Sequence, residues 1–174
     1  MLRIIVITLT FAVLWSIRWF WFAASNQAMI ENWVNGGSEI TTYSHFRQVG
    51  FPNRYDVTLN KLRIEEGDFE IFETDVLQIM RLAYRQDHFI LAFSNEIKII
   101  GQNITTSQNR ASFVKQENDI HRVVWEATDI ALENGATIKH GQLSLIIPPI
   151  GREITLYLQL SEIMQNGMVV HKNA

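Results

Sequence analysis

The side chains with the means to do chemistry in this 174-residue chain are five histidines and an acidic run. His45, His88, His121, His140 and His171 are scattered, and no two stand three or four apart. That spacing is what sets two imidazoles on one helix face for a metal. As they stand they read as surface or hydrogen-bonded histidines, and only convergence in space would make a site of them. Glu65, Glu66, Asp68, Glu70, Glu73 and Asp75 offer carboxylates for acid–base work. Asp68 and Glu70 alternate with Phe69 and Ile71, however, which predicts a solvated strand face with the apolar side chains opposite. The run lacks the alternating Asp/Asn, the Gly and the final Glu of a calcium loop. No Gly-x-Ser-x-Gly elbow, phosphate-binding glycine loop or Gly-x-Gly-x-x-Gly occurs. Asn103-Ile104-Thr105 matches a glycosylation acceptor and reads as chance. The expectation is no catalytic residue, no cofactor and no metal.

Net charge is −3, and the two arginines of the first 25 residues leave the remainder more acidic still. That argues against binding nucleic acid or anionic lipid headgroups through bulk charge. There is no cysteine, so neither a disulfide nor a thiolate site is available.

Residues 4–24 read IIVITLTFAVLWSIRWFWFAA. At about 1.5 Å per helical residue this spans roughly 31 Å, the thickness of a bilayer core. The segment predicts a transmembrane anchor over residues 1–24. Trp15, Arg18, Trp19 and Trp21 are its expected membrane-interface residues, with Phe20 and Phe22 in the same aromatic cluster and Arg18 reaching toward headgroups. A cleaved signal peptide ending near Ala23-Ala24-Ser25, or the core helix of a soluble protein, are the alternatives. Arg3 and the N-terminal amine favour a cytoplasmic N-terminus. Met29, Ile30 and Trp33 continue at helical spacing, predicting an amphipathic stalk over residues 25–37 that lies on the membrane or caps the body and stops at Asn35-Gly36-Gly37.

From residue 38 the period changes to two. Tyr55, Val57 and Leu59 alternate with polar residues. Leu62 and Ile64 continue on the other parity, which predicts a bulge near Asn60-Lys61. Phe69 and Ile71, then Phe89, Leu91 and Phe93, then Ile97 and Ile99 form further runs. So do Val123, Trp125 and Ala127; Leu143, Leu145 and Ile147 before Pro148-Pro149; and Ile154, Leu156, Leu158 and Leu160. Segment 74–84 suits a helix through Val76, Leu77, Met80 and Tyr84, or a strand through Met80, Leu82 and Tyr84; its β neighbours favour the strand. Turns are expected at Glu66-Gly67-Asp68, Gly101, Asn134-Gly135, His140-Gly141 and Asn166-Gly167. Strands with short gaps and no helices between them predict a mainly β body over residues 38–174. It should be an antiparallel meander, curved or folded over, with its apolar face covered by itself, by the stalk or by something greasy.

Gly50-Phe51-Pro52-Asn53-Arg54-Tyr55-Asp56-Val57-Thr58-Leu59 is the most distinctive stretch. Gly50 suits a positive φ, Pro52 keeps Phe51 extended, and Phe51 is expected to drop into the core at the strand's start. Together with the aromatic-ended helix about 25 residues earlier, this resembles the uncharacterised bacterial envelope proteins of domain-of-unknown-function family 2125. The resemblance covers residues 4–64, thins after about residue 95, and makes this chain a shortened member. It implies Gly50, Phe51, Pro52, Arg54, Tyr55 and Asp56 as the structural family motif, and a bacterial inner membrane with the body in the periplasm. It implies no activity.

The sequence thus points to a membrane-anchored extracytoplasmic envelope protein, not an enzyme, with a structural or partner-binding role. The alternative is a lipid- or hydrophobe-binding module with an apolar β-groove. The implied partners are the lipid bilayer, a bound lipid or an envelope protein.

Overall fold

In a computed structural model, which describes residues 1–35, 40–116, 119–148, 154–165 and 168–171, the apolar run and the polar stretch after it form one helix. This helix, α1 (Leu2–Asn35), has no internal Pro or Gly. Its hydroxyls turn back on it: Thr8 donates to the Ile4 carbonyl, Thr10 to Val6 and Ser16 to Ala12, at 2.8–2.9 Å. Of the expected stop, Asn35 is the last helical residue and Gly36-Gly37 lie outside the described residues.

Twelve strands follow among the described residues. They are β1 (Ile40–Thr42), β2 (His45–Val49), β3 (Arg54–Glu66), β4 (Phe69–Leu82), β5 (Arg85–Phe93) and β6 (Glu96–Ile99). Then come β7 (Gln102–Thr105), β8 (Gln108–Gln116), β9 (Asp119–Leu132), β10 (Ala136–Ile146), β11 (Thr155–Gln165) and β12 (Met168–His171). All pair antiparallel in one sheet of order β1-β3-β4-β5-β8-β9-β10-β11-β12. β2 shares the outer edge of β3 with β1, and the β6–β7 hairpin fills the gap between β4 and β9 beyond β5 and β8. The chain is therefore mainly β, an antiparallel meander after one N-terminal apolar helix.

A seam of irregularities crosses this sheet at one level. Lys61 in β3, Asp129 in β9 and Glu162 in β11 have φ of 51°, 49° and 47°. The breaks between β5 and β6 at Ser94-Asn95 and between β7 and β8 at Thr106-Ser107 lie on the same line. The pairing register is kept across Lys61, Asp129 and Glu162, so these are left-handed kinks within the strands and not inserted residues. Side chains bond across the seam: Thr106 donates to the Asn95 carbonyl and Ser94 to that of Glu96, and the Ser107 hydroxyl lies 2.8 Å from the Asp129 carboxylate and 3.3 Å from the Thr128 carbonyl. The bulge expected at Asn60-Lys61 is not formed: Asn60 pairs with Val76 and Leu62 with Thr74 in one register, Lys61 is a positive-φ kink between them, and the register shift of β3 lies at Ile64/Glu65.

The turns at Gly67, Ile100-Gly101 and Gly135 place positive φ where glycine was expected. His140-Gly141 is not a turn but the middle of β10, paired with Thr128 and Ala127 on one side and Ser161 and Leu160 on the other. Glycine is there for close packing: a Cβ at Gly141 would come within 2.9 Å of Ile130 Cδ1. Segment 74–84 is strand up to Leu82. Its buried face, though, carries Leu77, Ile79 and Arg81, and the expected Met80, Leu82 and Tyr84 face the other way. Likewise Phe69 is exposed at a turn, and the register shift beside Ile64 hands the inward place to Phe72. Strand β10 ends at Ile146, ahead of Pro148; Pro149 and Asn166-Gly167 lie outside the described residues.

Inward side chains line up across the strands in three rows, read from the pairing register. The first is Tyr55, Arg81, Phe89, Phe113, Val123, Leu145 and Leu156. The second is Val57, Ile79, Leu91, Ala111, Trp125, Leu143 and Leu158. The third holds Leu59, Leu77 and Phe93, then Asn109, Ala127, Gly141 and Leu160. The side-chain oxygen of buried Asn109 accepts the Trp125 indole N–H at 2.8 Å, while its Nδ2 has no partner among the described residues.

Candidate functional site: a docked helix and an open sheet face

Trp15, Trp19, Phe22, Ala23, Asn26 and Ile30 recur at helical spacing and form the stripe of α1 that turns to the sheet. At its lower end the Trp19 indole stacks on the Tyr55 ring, with centroids 5.4 Å apart and planes 19° apart. Trp19 Nε1 donates to the Arg54 carbonyl and Trp15 Nε1 to the Pro52 carbonyl, both at 3.0 Å. Gln48 Nε2 donates to the Ala23 carbonyl at 3.2 Å, where a small residue leaves the helix backbone accessible. At the upper end Ile30 enters the core of Val57, Leu59, Leu62 and Leu77.

The receiving corner is Gly50 to Asn53. Gly50 has φ 114°, and a Cβ there would stand 2.7 Å from the Arg54 carbonyl oxygen. The Phe51–Pro52 peptide is cis. Arg54 N–H donates to the Gly50 carbonyl at 2.8 Å, which closes the turn, and Arg54 pairs with Asp56 at 3.1 Å. Phe51 does not enter the core. It is 51 % exposed, stacked on Phe20 and edge-on to Trp19, and Tyr55 takes the buried place instead. The aromatic cluster of α1 is thus divided. Trp15, Trp19 and Phe22 pack on the body, Phe20 and Trp21 stay exposed, and the Arg18 guanidinium lies over the rings of Trp15 and Phe22.

A stack of rings continues from that corner along the first row. Arg81 stands 5.2 Å from the centroids of both Tyr55 and Phe89, and Phe89 stacks on Phe113 at 4.5 Å. Burial pushes the Arg81 guanidinium below its usual pKa and the Tyr55 phenol above its own, the latter opposed by the charges of Arg81 and Arg18. Arg81 is a residue the sequence reading missed, because that reading took the apolar parity of β4 from Met80, Leu82 and Tyr84.

The inner face is covered at one end of the rows and open at the other. Along the second row Val57 is fully buried under α1, whereas Leu158 is 61 % exposed; Leu156, ending the first row, is equally exposed. Ile154 beside them is exposed too.

Of the acidic run, Glu65, Glu70 and Glu73 form ion pairs, and Glu66, Asp68 and Asp75 are exposed. Arg63 meets Glu73 at 3.0 Å and Glu65 and Glu70 at 3.6 Å, and Lys98 meets Glu70 at 2.7 Å. The Lys98 ammonium holds the Glu70 carboxyl below its usual pKa despite the partial burial that opposes it. Of the histidines, His121 Nδ1 sits 3.1 Å from the Ile147 carbonyl, and His140 is a mid-strand residue of β10. Among the described residues no group of three or more His, Asp or Glu is placed to hold a metal ion.

No family model matches this chain, and neither the curated proteins nor the solved structures contain a match. One helix, Leu2–Asn32 of α1, is long and apolar enough to cross a membrane by length and composition.

Proposed function

We propose that this is a single-pass membrane protein, not an enzyme, whose β body stands in the periplasm on a bacterial inner membrane and whose open inner sheet face takes the apolar chain of a membrane amphiphile. The observation that carries the reading is the gradient along the rows: the same apolar face that α1 buries at Val57 is left uncovered at Leu156 and Leu158. Exposed apolar surface of this extent in a body otherwise rimmed by ion pairs marks a binding face. The geometry of α1 supplies the donor of the chain. At about 1.5 Å per residue, Leu2–Trp21 spans about 30 Å, so the bilayer edge falls level with Trp19 and Trp21. There the Gly50–Asn53 corner brings the start of the inner face down to the lipid. The kinship proposed with domain-of-unknown-function family 2125 rests on these same two features, the helix and the corner.

A purification of the intact protein in mild detergent, with mass spectrometry of protein and organic extract, tests this. The expected result is an intact N-terminus and stoichiometric lipid, lost in Leu156→Glu/Leu158→Glu. A lipid-free wild type would contradict it. That outcome would favour the structural or partner-binding reading, to which exposed Phe69 and Ile100 at the membrane-distal turns contribute.

A further inference from the structure

Across the three rows of the inner face, Arg81 is the one charged side chain. A lone cation on an apolar face is costly unless something compensates it. The rings of Tyr55 and Phe89 compensate part of the cost by cation–π contact. They accept no hydrogen bond in the guanidinium plane, and Arg81 Nε is buried with no acceptor among the described residues. Among the described residues Arg81 forms no ion pair with a carboxylate. The other charge acting on Tyr55 is a second cation, Arg18 of α1, which lies over Trp15 and Phe22. Arg81 of the sheet and Arg18 of the helix both act on the Tyr55 phenol as positive charges.

Their place is as telling as their charge. Arg81 belongs to the row nearest the Gly50–Asn53 corner and the Ala83-Tyr84 turn, the end of the sheet docked at Trp19. From Arg81 the first row runs on through Phe89, Phe113, Val123 and Leu145 to exposed Leu156. Five strand spacings of about 4.8 Å make roughly 24 Å, longer than the ~15 Å that one acyl chain covers in a leaflet.

Resting on the reading of the inner face as a chain-binding surface, we propose that Arg81, aided by the charge of Arg18 on α1, binds the phosphate of an anionic phospholipid whose acyl chain lies along that row toward Leu156. The guanidinium fork suits a phosphate oxygen pair, and the bilayer edge supplies the lipid at that level.

The test uses the full chain in nanodiscs of zwitterionic phosphatidylcholine with a minority of anionic phosphatidylglycerol. The protein is then extracted gently and the lipid that stays with it is quantified. The total reads the apolar face, and the ratio of the two lipids reads the arginine. Wild type is expected to retain phosphatidylglycerol about tenfold above its share of the bilayer, the scale of a charged hydrogen bond. Arg81→Met should bring that ratio to the bilayer's own, and Arg81→Lys should restore part of it. Arg18→Gln, on the helix and outside the sheet core, should lower it as well and serves if Arg81→Met fails to fold. Retained lipid of unchanged composition in both charge-removing variants would overturn the head-group site and leave the chain-binding face standing. No retained lipid in wild type would overturn both. A delipidated sample titrated with inorganic phosphate and followed by tryptophan fluorescence is expected to show no saturable change; saturable binding would mean a free anion is the ligand and would overturn the lipid.

Discussion

The Trp19 indole and the Tyr55 ring stack 5.4 Å apart, and the same indole donates to the carbonyl of Arg54, the residue before Tyr55. The apolar helix is thereby fixed to the first inward residue of the longest run of buried positions in the sheet. Both are almost wholly buried. Rotation of α1 about its axis would break a ring stack and a hydrogen bond together, so this contact sets the orientation of the sheet to the membrane that α1 is proposed to cross.

Trp19→Ala should therefore cost about 3–5 kcal/mol, the range for truncating a buried aromatic residue. Chemical unfolding of the detergent-solubilised protein measures it. Limited proteolysis should show the body released from the helix more readily than in wild type. Trp19→Phe keeps the ring and loses the N–H donor, and about 1 kcal/mol is expected for it.

Gly50→Ala places a methyl group against the Arg54 carbonyl oxygen in a backbone conformation that L-residues rarely adopt. A loss of about 1–3 kcal/mol is expected. The change should appear first as local exchange of the Arg54 amide hydrogen, because the Gly50–Arg54 turn opens before the sheet does.

Lys61 is exposed, in β3, at φ 51°. Glycine reaches this conformation without steric cost, so Lys61→Gly should stabilise the protein by up to about 1 kcal/mol. A lowered midpoint of unfolding would show that the left-handed kink there is not held as described.

The ion pairs of Glu70 make an acid-side prediction. Its carboxyl titrates below the usual 4.5 in the folded protein, held there first by Lys98. The folded state therefore binds fewer protons than the unfolded state near that pH. The stabilisation is complete above pH 4.5 and is lost as pH falls through the depressed value. Glu70→Gln should lower the unfolding midpoint near neutrality and flatten its fall over that interval. An unchanged acid slope would show that other carboxylates dominate it.

Much of this architecture was legible from period alone, because the body has one apolar and one polar face per strand and short turns between strands. The seam was legible at one point only. Inward positions skip by three at Leu59–Leu62, Ala127–Ile130 and Leu160–Ile163, with a positive-φ residue within each step. The first skip falls between two clear runs. The others are bordered by Ala, Gly or a turn-like dipeptide such as His140-Gly141, which blur the alternation. Strand β8 escaped notice for the same reason, with Asn109 and Ala111 as its inward residues before Phe113. The helix stripe from Trp15 to Ile30 was hidden differently: the segment is apolar all round over its first 24 residues, so no side stands out until a partner surface selects one. The place of Arg81 followed from register with Tyr55 and Phe89, which is set by pairing and not by the local sequence.

The most direct test of the inner face as a chain-binding surface is photo-crosslinking in intact membranes, with a photoreactive residue at Leu158 and, in a second protein, at Tyr157. The two positions are adjacent, equally exposed and on opposite faces of β11. Lipid adducts identified by mass spectrometry at position 158 and absent at 157 are the predicted result. Equal labelling at both, or protein adducts alone at 158, would contradict it.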